Sequence, residues 1–156
     1  MKWKQCLASL LVAASMTASL PAALAVQDAD QPATRGQVCD ALLEAADDYN
    51  PGVQASDIMQ GDPDGNLREN DPVTRDEALI MLQRAFGSLP TPVGDNALKG
   101  YAAANFVDIP AWAQAELTNV LSSGIVAGTS DSTFSPDENV TMEQLALFIQ
   151  RTYALF

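Results

Sequence analysis

The residues best suited to chemistry form a short loop rich in side-chain oxygens. Positions 62–66 read Asp-Pro-Asp-Gly-Asn, and carboxylate and amide oxygens are the ligands that Ca²⁺ prefers. A calcium loop of the EF-hand type needs glycine at its sixth position and glutamate at its twelfth. Leu67 and Val73 occupy those two positions. The sequence therefore predicts a closed turn here and no metal site.

Acid–base and nucleophilic catalysis lack their usual residues in this chain. The 156 residues contain no histidine, so the chain cannot supply a Ser-His-Asp triad or a histidine-ligated zinc site. We therefore expect no catalytic residue and no cofactor.

Composition narrows the classes of protein further. With 47% hydrophobic residues, a chain of this length can build one modest globular domain, and a large multidomain enzyme is not expected. The net charge is −12, from 20 acidic and 8 basic residues. Nucleic acid is a poor candidate partner, because its binding depends on Lys and Arg neutralising phosphates.

The first 25 residues have the pattern of a secretory signal peptide. Lys2 and Lys4 precede an apolar run at 7–20, and a small-x-small motif ends at Ala25. Cleavage after Ala25 would leave a secreted chain without membrane contact. An uncleaved anchor remains the alternative.

Cysteine usage agrees with this interpretation. Cys6 would leave with the signal peptide, and Cys39 would then have no partner within the chain, so no disulfide framework is expected. We interpret Cys39 as a small apolar residue on a helix face.

Three copies of one unit follow the signal. Residues 61–84 align without gaps on residues 128–151, at a constant offset of 67 positions. A shorter copy begins at Pro32 and matches Pro72 onward at an offset of 40. The predicted divisions are a linker at 26–31, a truncated first repeat at 32–50, a second repeat at 53–87, a connector at 88–105 and a complete third repeat at 106–156.

Each copy carries a helix-start signal. A threonine is followed three residues later by Glu or Gln, which is the capping box. Apolar residues then recur at helical spacing, so each cap opens a helix whose stripe faces the core. The pairs are Thr34 with Gln37, Thr74 with Glu77, and Thr141 with Gln144.

Another helix precedes the last copy. It is predicted to begin near Asp108–Pro110 and to stop at Gly124, and Trp112 lies in its first turn. In the middle copy the corresponding helix is reduced to a fragment at 53–59. The expected fold class is all-α, built from helix–loop–helix repeats packed as a small bundle.

Several ordered motifs resemble those of one known family. Residues 106–113 (FVDIPAWA), 124–128 (GIVAG) and 134–137 (FSPD) resemble a complete S-layer homology module, and residues 74–77 (TRDE) resemble the diagnostic end of another. Bacteria use such modules to hold exported proteins on their cell walls. The resemblance implies three modules packed around a pseudo-threefold axis, which bind secondary cell-wall polysaccharide in grooves between repeats.

The resemblance also implies which residues bind the glycan. Arg35 and Arg75 would hold an acidic sugar, often a pyruvylated one, and Met142 stands where a third arginine is expected. The other ligand-binding residues that it implies are Asp64, Gly65, Asp131 and Trp112. Each has an alternative role, since the aspartates could simply close turns and Trp112 could be a core anchor.

The leading hypothesis is a non-catalytic module that anchors an exported protein to the wall or surface of a bacterial cell. One alternative is a structural or protein-binding role, through a partner domain or self-association. Another is the targeting end of an exported enzyme, such as a zinc metallopeptidase, whose catalytic domain lies outside this chain.

Overall fold

The fold consists of helices joined by structured loops. A computed structural model describes residues 31–90 and 102–156, and within them it contains isolated β-bridges but no strand. The all-α prediction is confirmed. The predicted signal peptide and residues 91–101 of the connector lie outside the described residues. The elements are α1 (Arg35–Ala46), α2 (Ala55–Ile58), α3 (Arg75–Phe86), a 3₁₀ turn (Ala103–Asn105), α4 (Ala111–Ser123) and α5 (Met142–Tyr153).

Helices α1 and α5 begin with complete capping boxes. The Thr34 hydroxyl accepts from the Gln37 amide (3.3 Å), and the Gln37 side chain accepts from the Thr34 amide (2.9 Å). Thr141 and Gln144 make the same reciprocal pair at 3.2 and 3.1 Å. Two backbone donors that the helix leaves unpaired are thus satisfied at each start.

The start of α3 differs from the prediction in one respect. Thr74 occupies the N-cap position, and Glu77 accepts from its amide (3.2 Å). The Thr74 hydroxyl, however, donates to Asp76, which also accepts from the Glu77 amide (2.8 Å). Only half of the predicted capping box forms, because the adjacent carboxylate competes for the same groups.

The predicted apolar stripes form the core of the molecule. Each stripe residue is at most 5% exposed, and all belong to one buried cluster. Helical periodicity alone places these positions on one face of each helix. They are Val38, Ala41, Leu42 and Ala45 in α1; Ala78, Met81, Leu82 and Ala85 in α3; Ala113, Leu117, Val120 and Leu121 in α4; and Leu145, Phe148 and Ile149 in α5.

A ring of backbone hydrogen bonds joins the starts of α1, α3 and α5. The Ala33 amide donates to the Val140 carbonyl (2.8 Å), and the Val73 amide donates to the Ala33 carbonyl (3.0 Å). The Val140 amide closes the ring by donating to the Val73 carbonyl (3.1 Å). All three residues are buried and directly precede an N-cap threonine. The ring arranges the three helices around a pseudo-threefold axis.

The two ungapped copies also share their loop geometry. The hydrogen bond from the Asp62 amide to the Asn66 carbonyl (3.0 Å) recurs 67 positions later at 2.8 Å. Arg68 and its counterpart Ser135 both have left-handed backbone, with φ of 55° and 60°. Such values are uncommon outside glycine, so their recurrence shows that the two copies adopt the same backbone.

Replacing a cap tests the helix starts. We expect Thr141→Ala to lower the free energy of unfolding by about 1 kcal/mol, because the Gln144 amide loses its acceptor. Thr141→Ser keeps the hydroxyl group and is the matched control. Urea unfolding would measure both, and equal losses for Ala and Ser would contradict a capping role.

Candidate functional site

A groove of about 300 Å³ opens between the first and second copies. We call it the first groove. Arg35 of α1, the loop at 60–66, Arg68 and one face of α3 line it, and Trp112 of α4 borders it. The α3 residues in its wall are spaced three and four apart, as one helix face requires. They are Glu77, Ile80, Met81 and Arg84.

Arg35 is fixed in the wall of this groove. Its Nε donates to the Leu67 carbonyl (3.1 Å) and its Nη2 to the Gln60 carbonyl (3.0 Å). Its Nη1 is paired with Glu77 Oε1 at 2.9 Å, and the side chain is 12% exposed. These bonds use three of the five N–H donors of the guanidinium group. Two N–H donors of the group are left over from these three bonds.

The loop at 60–66 is closed by a residue that the sequence did not assign. Asp62 Oδ1 accepts from the amides of Asn66 (2.9 Å) and Asp64 (3.0 Å), which lowers the pKa of Asp62. Asp62 and Asn66 line the first groove, together with Gly61. Asp64 itself is exposed and is not part of that lining. The available signal was the order Asp-Pro-Asp-Gly at 62–65, because aspartate at the first position of a turn and proline at the second are both favoured.

Gly65 and Asp131 also lie away from the groove lining. Gly65 is exposed at the loop tip, where its φ of 83° favours glycine. Asp131 is exposed in the corresponding loop of the last copy. Ser130 closes that loop, since its hydroxyl accepts from the Thr133 amide at 3.0 Å. Neither residue lines the first groove.

Asp108 holds the loop of the last copy against α4. Its two carboxylate oxygens accept from the amides of Phe134 (2.8 Å) and Ser135 (2.7 Å). Desolvation would raise the pKa of Asp108, but these hydrogen bonds outweigh it and lower the pKa. The sequence placed Asp108 in a helix cap region, whereas the N-cap is Pro110 and the carboxylate reaches across to the loop.

Trp112 lies at the surface and not in the core. Its side chain is 61% exposed and borders the first groove. The alternative role of core anchor is therefore wrong. The sequence held a signal for this, because Trp112 immediately precedes the α4 stripe that begins at Ala113 and so falls off its buried face.

Arg75 is packed differently from Arg35. Its guanidinium carbon lies 5.0 Å from the Phe134 ring centre and 5.7 Å from that of Phe148, within cation–π range. Nη2 donates to the Ala127 carbonyl at 2.6 Å, and Nε is buried without a hydrogen-bond partner. Burial lowers the pKa of Arg75.

The two arginines nevertheless occupy equivalent places. Ala127, which accepts from Arg75, is the counterpart of Gln60, which accepts from Arg35. Gln144 stands in the last copy where Glu77 stands in the middle one. The carboxylate that pairs with Arg35 thus has a neutral counterpart in the last copy.

The third equivalent position carries no charge. Met142 is 3% exposed and belongs to the buried apolar cluster.

Within residues 31–90 and 102–156, no group of three or more Cys, Asp or Glu side chains could hold a metal ion. No helix in those same ranges is long and apolar enough to cross a membrane. Cys39 is buried, which raises the pKa of its thiol and disfavours the reactive thiolate.

Comparison with known proteins identifies the family of this chain. The S-layer homology domain matches residues 53–79 and 105–146. The chain belongs to the S-layer homology domain family, whose members are cell-surface anchoring modules that bind cell-wall polymers. Membership places the chain at a bacterial cell surface or cell wall.

Three relatives show where such sequences occur. The chain is 30% identical to an endoglucanase of Bacillus sp. (strain KSM-635) over 67% of its own length, and 28% identical to cell surface glycoprotein 1 of Acetivibrio thermocellus over 58%. It is 30% identical to an amylopullulanase of Thermoanaerobacterium thermosulfurigenes over 69%. It spans only 10%, 4% and 6% of these relatives, respectively.

The buried carboxyl group of Asp76 predicts a pH effect on stability. Burial raises its pKa above the ordinary 3.8, although hydrogen bonds from Thr74 and Glu77 act in the opposite direction. A raised folded-state pKa means that stability from this group is present below 3.8 and is lost as pH rises through the folded-state pKa. Asp76→Asn removes this titration.

We therefore expect the Asp76→Asn variant to gain stability relative to the wild type as the pH is raised from below 3.8 to about 7. Urea unfolding across this range measures the difference. A difference that stays constant with pH would contradict the raised pKa.

Proposed function

We propose that the first groove attaches this protein to the bacterial cell wall by binding an acidic wall polysaccharide, without catalysis. The observation that carries the proposal is the pairing, within one groove, of a fixed guanidinium group at Arg35 with an exposed indole at Trp112. A guanidinium group matches a carboxylate such as that of a pyruvylated sugar. An exposed indole offers a flat apolar face to a sugar ring.

The remaining lining of the groove suits a carbohydrate. The Asp62 carboxylate and the Asn66 amide can exchange hydrogen bonds with sugar hydroxyls. Ile80 and Met81 add an apolar floor between these polar groups. Sites for small organic ligands commonly combine an apolar lining with a few placed polar groups.

The acidic character of the chain does not prevent this binding. Exposed charges are screened over roughly 8 Å at physiological ionic strength, so the groove is governed by its nearest charges. Arg35 is held there by its hydrogen bonds to Leu67 and Gln60.

Retention on purified cell-wall sacculi tests the proposal. We expect Arg35→Gln to reduce retention about tenfold or more, because a charge-assisted hydrogen bond to the glycan is lost. Trp112→Ala should also weaken retention, and Trp112→Phe, which keeps a ring, should weaken it less.

Arg151→Gln is the matched control for net charge. Arg151 donates to the Ile125 carbonyl and does not line the first groove, so its removal should leave retention unchanged. Thermal melts would verify that each variant is folded. Equal retention of the wild type and Arg35→Gln would overturn the proposed site.

A protein-binding role is the second candidate function. Tyr49 and Phe156 are 38% and 56% exposed, and their ring centres lie 5.0 Å apart beside Phe86 and Tyr153. Exposed aromatic clusters commonly mark interaction surfaces. Sedimentation of the wild type against a Tyr49→Ser, Phe156→Ser double variant distinguishes self-association through this surface from a monomer.

A further inference from the structure

The first groove extends along α3 beyond Arg35. Two residues of α3, Glu77 and Arg84, line it. Glu77 pairs with Arg35, and Arg84 lies seven positions further along the same helix. Seven residues correspond to about 10 Å of helix rise. Arg35 therefore lies near one end of this helix wall, which is about 10 Å long, and Arg84 lies near the other. Arg68, which is paired with Asp71, also lines the groove.

The guanidinium groups of Arg35 and Arg84 are held with different strength. Arg35 makes three hydrogen bonds and is 12% exposed, whereas Arg84 is 29% exposed and pairs with Glu116 at 3.0 Å. Glu116 is itself 45% exposed. Exposed ion pairs contribute little, so a ligand anion can replace Glu116 at small cost.

The stacking surface belongs to the same end of the groove as Arg84. Trp112 and Glu116 are four residues apart on α4, so their side chains lie on one face of that helix. Because Glu116 contacts Arg84, the indole and this guanidinium group border the same stretch of the groove. A sugar ring stacked on Trp112 would bring its acidic substituent towards Arg84.

We propose that Arg84 forms a second anion-binding subsite in the first groove, with Trp112 as its stacking surface. The inference rests on the proposed function and specifies its ligand. The groove takes a polymer with acidic groups on several sugar units along its length, and not one with a single acidic group at its end. Arg35 binds one acidic group and Arg84 binds another.

Oligomers of galacturonic acid test this proposal, because every unit carries one carboxylate. The sequence contains two tryptophans, Trp3 and Trp112, so in a Trp3→Phe variant the tryptophan fluorescence reports on the groove alone. We expect the trimer to bind at least tenfold more tightly than the monomer. In this background, Arg84→Gln should remove that tenfold gain, so that the trimer and the monomer bind with similar affinity.

Two glutamate variants separate the subsite from a general change in charge. Glu116→Gln frees Arg84 and should tighten trimer binding. Glu143→Gln makes the same charge change at an exposed position of α5, outside the groove lining, and should not tighten it. Equal tightening by both variants would overturn the local role of Arg84.

The remaining outcomes are equally decisive. Trimer binding no tighter than monomer binding, trimer binding unaffected by Arg84→Gln, or no binding of either sugar would each overturn the second subsite. The sacculus assay with Arg35→Gln reports on the proposed function separately. If Arg35→Gln reduces retention on sacculi but the trimer test fails, the proposed wall anchoring is supported and only the second subsite is overturned.

Discussion

The arrangement of this molecule depends on the ring of backbone hydrogen bonds among Ala33, Val73 and Val140. Because these residues are buried, their amides and carbonyls would be costly to leave unpaired, and each finds its partner in another copy. Each ring residue is followed by a threonine at an N-cap. The ring therefore fixes where three helices begin relative to one another, although their sequences are far apart in the chain.

The positions of Arg35 and Arg75 follow from the same ring. Each is the first residue of its helix and lies two positions after a ring residue. The backbone amide of Arg35 donates to the Asp71 carbonyl, and that of Arg75 donates to the Glu138 carbonyl. Both acceptors lie in the next copy, two positions before its own ring residue. Their side chains consequently lie against the loop of that next copy. A short repeated motif thus produces sites between copies, because the motif lies at the contact between them.

Sequence patterns predicted the local features well and the distant ones poorly. Capping boxes and apolar stripes depend on residues three or four apart, so periodicity was sufficient to find them. The hydrogen-bonded ring and the reach of Asp108 to Phe134 join residues 26 or more positions apart, which no local pattern encodes. Even at Thr74 a local rule failed, because Asp76 competed for the hydroxyl group.

Equivalent positions in the copies have also taken on different roles. Met142 has become part of the core, and Arg75 lies against two phenyl rings where it ties the middle copy to the last. Arg35 instead lies in an open groove, where Glu77 offsets its charge without using all of its donors. The same contact geometry therefore places one guanidinium group against aromatic rings and another in an open groove, because the neighbouring side chains differ between the two interfaces.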